Sequence, residues 1–99
     1  MVLARSDKLP VKHAGVIFSE RILKRHEISL TDAAKYLHMS HKQLSLFISG
    51  KSDVSIDLAK KLEISTGVSA VFWLNIQKYY DLYVARNDLV KADRLYIFS

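Results

Sequence analysis

The feature that most constrains this chain is a repeated punctuation. Ser29, Ser40, Ser55 and Ser69 each stand just ahead of an apolar stripe at helical spacing, and two of those stripes run into Gly50 and Gly67. A serine hydroxyl at that position accepts from an otherwise unpaired amide of the first helical turn, while glycine just past the last turn adopts the left-handed conformation that closes a helix. The four stripes are Leu30, Ala33, Ala34 and Leu37; Leu44, Phe47 and Ile48; Ile56, Leu58, Ala59, Leu62 and Ile64; and the long run VFWLNIQKYYDLYVA. They predict helices over residues 30–38 and 41–49, one starting near Ser55, and one capped by Ser69. Ahead of them Ile17, Phe18, Ile22 and Leu23 mark a helix over 16–26, after an irregular lead-in bracketed by Pro10 and Gly15. Five helices without a convincing strand make an all-α domain over 13–85, with a lead-in 1–12 and a tail 86–99. The tail has no settled period: frayed helix, a short strand over 95–98 and a docked segment all stay open.

A chain of 99 residues has room for one domain, able to bury roughly two-thirds of the surface it exposes when unfolded. With 49% hydrophobic and 25% charged residues, three glycines and one proline, it is composed like a folded, helix-rich protein. It has no cysteine, so disulfides and thiolate chemistry are excluded and nothing ties it to an oxidising compartment. The first residues, MVLARSDKLPVK, lack the apolar centre of a signal peptide, and no apolar run is long enough to cross a bilayer. A soluble, cytoplasmic protein with no membrane partner is the expectation.

The net charge of +5 points weakly to nucleic acid, an acidic partner or an anionic surface; its distribution says more. Between Asp32 and Asp53 there are Lys35, Lys42, Lys51, His38 and His41, and no acid. On a wheel of about 100° per residue, Leu44, Phe47 and Ile48 form the buried arc of the helix over 41–49. Opposite them lie Lys42, Ser45, Leu46 and Ser49, flanked by His41 and Gln43. An ordinary solvated face mixes both signs; this one carries no carboxylate.

A short helix, a tight link over 38–40 and a second helix with an acid-free polar face is what a DNA-reading helix-turn-helix requires. Unpaired amides at the start of the second helix favour a phosphate, and Ser40 adds a hydroxyl. Gln43 can bond adenine bidentately, Lys42 can reach guanine or phosphate, Ser45 and Ser49 can meet base edges, and Leu46 can touch a thymine methyl or pack at the rim. The expected DNA-contacting set is Ser40, His41, Lys42, Gln43, Ser45, Leu46, Ser49 and Lys51.

With those residues in hand, the chain from His13 to Ala85 resembles the HigA-type, or VapI-type, antitoxins of the larger Xre/Cro-like helix-turn-helix group. The resemblance rests on HAG at 13–15, ISLTDAA at 28–34, SGK at 49–51 and, most specifically, SAVFWLNIQ at 69–77 followed by YYDL. Ala14, Leu30 and Ser49 depart from the proline, glutamine and asparagine common at those places, and Leu46 stands where a polar residue is usual. The resemblance implies a five-helix, lambda-repressor-like domain. It further implies an antitoxin that neutralises a HigB-like, RelE-type mRNA-cleaving toxin encoded beside it and represses their shared operon.

The last helix carries apolar side chains on too many sides for one buried stripe: Phe72, Ile76, Tyr79 and Tyr83; Trp73, Tyr80 and Val84; and Val71, Leu74 and Leu82. One stripe completes the core and another can form a homodimer, with Trp73, Tyr80 and Val84 the expected interface. A two-fold dimer suits a palindromic operator in double-stranded DNA. His38 and His41 are separated by a helix break and lack further ligands, so no metal is expected; His13 and His26 have ordinary capping or solvated roles. No nucleophile elbow or phosphate loop exists, so neither catalysis nor a cofactor is expected. A competing reading keeps the helix-turn-helix only as scaffold for sequestering a protein partner.

Overall fold

The computed structural model describes residues 11–97, and these form five helices and no strand. Helix α1 is α-helical over Ala14–Phe18 and continues as a π-helix over Ser19–Lys24; α2 is Leu30–Tyr36, α3 His41–Ile48, α4 Ile56–Thr66 and α5 Ala70–Val84. Residues 1–10 of the expected lead-in and 98–99 of the tail lie outside the described residues; 88–97 run on from α5 without regular structure.

All four serine caps form as the sequence requires: Ser29, Ser40, Ser55 and Ser69 accept from the amides of Asp32, Gln43, Leu58 and Phe72 at 3.0–3.1 Å. Helix α1 begins two residues earlier than the apolar period suggests, because His13 is its cap: Nδ1 accepts from the Gly15 amide at 2.9 Å. The π winding has a reason in the side chains. Ile17 and Ile22, like Phe18 and Leu23, are five residues apart, a spacing that an α-helix would rotate off one face and that i→i+5 pairing keeps together. Phe18 and Leu23 are buried, with Ile17 and Ile22 packed against the same core.

Helix ends were less legible. Glycine closes α3 and α4, with Gly50 and Gly67 at φ 79° and 78°, but Glu27 and His38 take left-handed conformations of φ 54° and 53° without being glycine. Around His38 the amides of Met39 and His38 donate to the carbonyls of Ala34 and Lys35, closing α2 in a Schellman motif. A cost of roughly 1 kcal/mol for left-handed backbone in a non-glycine residue is offset because the residue after each turn, Ile28 or Met39, packs on the core. The link between α2 and α3 is therefore short and tethered: Lys61 Nζ also donates to the His38 carbonyl at 3.1 Å.

Phe18, Leu44, Phe47, Leu62 and Trp73 form the centre of the core, each at most 2% exposed. Full burial of such side chains contributes about 1.5–3 kcal/mol apiece. Two expectations are corrected. Ile56 and Ile64 are 65% and 84% exposed; two positions from Leu62, Ile64 lies on the far side of α4. Trp73 is 1% exposed, with its ring edge-on to Phe18 at 6.0 Å and to Phe72 at 5.5 Å, so it is a core residue and offers no surface to a second copy. Tyr80 is half-buried against His13, their centroids 5.2 Å apart, which leaves Val84, at 59%, the one fully outward residue of the expected trio.

Candidate nucleic-acid interface

The geometry of α3 begins at its amino end, where Ser40 and Gln43 form a reciprocal capping box. The Gln43 amide donates to Ser40 Oγ, and the Ser40 amide donates to Gln43 Oε1, both at 3.0 Å. Ser40 keeps its hydroxyl proton for a phosphate, next to the unpaired first-turn amides. Gln43 keeps its Nε2 donor, but its Oε1 is shared with the cap, so bidentate pairing with adenine has to use the second lone pair or open the box. The wheel position of Gln43 does not show this competition; the Ser40-x-x-Gln43 spacing, the signature of a capping box, does.

His41, Lys42, Gln43, Leu46 and Ser49 are exposed and Ser45 is half-buried, while Leu44 and Phe47 face inward. Lys51, just past Gly50, is exposed as well. The expected residues thus share one side of α3 and the turn after it. Lys42 and Lys51 form no ion pair among the described residues. Ser49 is committed to the backbone: Oγ donates to the Leu46 carbonyl at 3.1 Å, leaving the oxygen as an acceptor. Leu46 is 38% exposed and borders a groove between α3 and α4 together with Met39, Gln43, Asp53, Asp57 and Lys61.

That groove holds what the sequence reading missed. Asp53 and Asp57 bring acid to the edge of a face that is acid-free along α3 itself, with Asp57 partly countered by Lys61 at 3.5 Å. The available signal was the Asp57–Lys61 spacing of four, which places both on one side of α4. Leu30, in the position where the resemblance leads one to expect glutamine, packs against the core from α2.

What holds α3 in place is the HAG segment. A Cβ at Gly15 would lie 1.7 Å from the Phe47 carbonyl oxygen and 3.1 Å from the Ile48 Cα, so α1 and α3 touch backbone to backbone. The His13 ring, 3% exposed, packs edge-on against Phe47 with centroids 5.9 Å apart and covers Gly50. His26, by contrast, is exposed. No cluster of three or more metal-ligating side chains occurs among the described residues, and no described helix is long and apolar enough to cross a membrane.

Comparison with known proteins agrees with this geometry. The profile of the helix-turn-helix family HTH_3 matches residues 20–73, which span the π-helical part of α1 through Trp73. Virulence-associated protein I of Dichelobacter nodosus is 33% identical over 85 residues, covering 86% of this chain and 79% of that protein. Among solved structures, the Pseudomonas aeruginosa antitoxin HigA with the higBA promoter superposes with a TM-score of 0.73 at 29% identity, over 77% of this chain and 83% of that one. The antitoxin GraA superposes with a TM-score of 0.75 at 28% identity, over 79% and 84%. The chain belongs to the Xre-type helix-turn-helix family, alongside virulence-associated protein I and the HigA antitoxins.

Proposed function

We propose that this chain is a sequence-specific DNA-binding antitoxin that represses its own operon and neutralises a HigB/RelE-like, mRNA-cleaving toxin encoded beside it. The observation that carries the DNA half is the outer face of α3: exposed, acid-free, and begun by a capping box whose serine hydroxyl remains free to donate. The relatives solved with promoter or operator DNA support the same reading. Ser40 and Lys42 hold phosphates, Gln43 and Ser45 read base edges, Leu46 contacts a thymine methyl, and His41, Ser49 and Lys51 line the margins.

The chain acts as a homodimer on a palindromic site. The surface for the second copy is the outward side of α5, where Phe72, Tyr79, Leu82 and Tyr83 are 38–69% exposed; of the expected trio only Val84, at 59%, remains available to it, and Trp73 is excluded by burial. Pairing these faces sets two copies of α3 for half-sites about one helical turn apart. Surface for the toxin remains on the apolar segment beyond α5, where Leu89, Leu95 and Ile97 are more than 90% exposed.

The deciding experiment combines co-purification with the product of the adjacent gene and a footprint on the chain's own promoter. Both are expected. A captured partner without a footprint would instead favour a scaffold that only sequesters protein, a reading to which the exposed Leu46 lends some support.

A further inference from the structure

At the margin of the α3 face lies a polar cluster that the expected DNA-contacting set does not include. Gln77 of α5 is 2% exposed, and its Nε2 donates to Asp81 Oδ1 at 2.9 Å and to Asp53 Oδ1, in the link between α3 and α4, at 3.3 Å. Carboxylates only accept, so the pair fixes which end of the amide faces them. The same Asp53 oxygen stands 3.9 Å from His13 Nε2. Because His13 Nδ1 already accepts from the Gly15 amide, the proton of the neutral ring sits on Nε2, facing Asp53. The second Gln77 N–H is therefore held by a carboxylate whose own side chain is 76% exposed, while the buried His13 Nε2 has no hydrogen-bond partner among the described residues and faces that charge from beyond hydrogen-bonding distance. The three residues come from the cap of α1, the turn after α3, and α5.

We propose that Asp53 is a positioning residue for DNA reading: through the bond it accepts from Gln77 it ties the turn that follows α3 to α5, with its charge set toward the His13 ring at the cap of α1, and so fixes the attitude in which α3 meets a duplex. The inference rests on the DNA-reading function proposed above. Its discriminating property is a sign. As a charge beside Gln43 and Leu46, Asp53 repels phosphate, so electrostatics alone predicts that removing it tightens binding to every duplex. Positioning predicts weaker binding to the promoter.

The test uses the full chain and its Asp53→Ala and Asp53→Asn variants. Each is titrated at one salt concentration with the duplex upstream of its own gene and with a scrambled duplex, and amide exchange is followed across residues 49–55. The exposed side chain makes both variants compatible with folding. Asp53→Ala is expected to weaken promoter binding roughly five-fold, about one net hydrogen bond's worth, while scrambled duplex binds as well or better, and to speed exchange in the turn. Asp53→Asn keeps the acceptor and returns promoter binding to within about two-fold. Parallel tightening on both duplexes, identical behaviour of Ala and Asn, or unchanged exchange would each overturn the proposal. A wild-type chain with no promoter preference defeats the DNA-reading function as well, whereas a preference that Asp53→Ala leaves undiminished defeats only the positioning role.

Discussion

Gly15→Ala isolates the contact that holds α3. Helix propensity alone says the change is favourable, since alanine is better than glycine within a helix by about 1 kcal/mol. The structure says otherwise. The new methyl would sit 1.7 Å from the Phe47 carbonyl oxygen and 2.5 Å from its carbonyl carbon, and both are backbone atoms that no rotamer change can move. Bringing the first contact to 3.0 Å, below which real Cβ atoms essentially never lie, needs α1 and α3 to part by at least 1.3 Å (3.0 less 1.7). A gap of that size strips neighbouring side chains of a quarter to a half or more of their dispersion energy, and overpacking of this kind costs about 1–3 kcal/mol, occasionally more. A contact as close as 1.7 Å to rigid backbone belongs at the upper end of that range, so with the propensity gain subtracted the net loss is about 2 kcal/mol, or ~8–16 °C in Tm for a domain of this size. Gly67→Ala supplies the control: at φ 78° with nothing within 4 Å of the added methyl, it loses only backbone preference, about 1 kcal/mol. Thermal and urea unfolding of the two variants beside wild type measure both terms. The reasoning is refuted if Gly15→Ala is as stable as wild type, or less damaging than Gly67→Ala.

The remaining predictions concern the two surfaces and one ion pair. Lys42→Ala should weaken binding to promoter and scrambled duplex alike and reduce the salt slope by about one unit, whereas Gln43→Ala should chiefly relax preference at one base position; titrations over a salt series separate them, and equal loss of preference from both would contradict the assigned roles. Tyr79→Glu places a charge on the outward face of α5, 50% exposed, and should convert a dimer to a monomer by light scattering while leaving the fold intact; an unchanged mass would move the interface elsewhere. The Lys12 ammonium donates to Glu20 Oε1 at 2.8 Å and, with its charge, holds that carboxyl below its ordinary value. A folded-state value below the unfolded one contributes stability above the unfolded value and loses it as pH falls through the folded one. The advantage of wild type over Lys12→Ala in urea is therefore small, salt-sensitive and largest near neutrality, and it vanishes in acid; an advantage that grows in acid would contradict it.

The sequence by itself determined the number of helices, the serine-capped starts of four of them and the outward face of α3. Each of those rests on residues within about four positions of one another: a hydroxyl and the amide three residues on, or an apolar stripe one turn apart. Closure of helices by Glu27 and His38 escaped it, because left-handed backbone at a residue other than glycine is tolerated only when the next side chain finds the core. So did the π winding of α1, the requirement for Gly15 and the role of Trp73. Three stripes on α5 were equally apolar, and only packing decided that the one containing Trp73 meets Phe18 while Phe72, Tyr79 and Leu82 stay outside. Gln77 and Asp53 are 24 residues apart, and Gly15 and Phe47 farther still. Local caps are settled by covalent neighbours, but contacts of that range exist only once the helices have docked, so tertiary structure alone could show what braces the face that the sequence had marked.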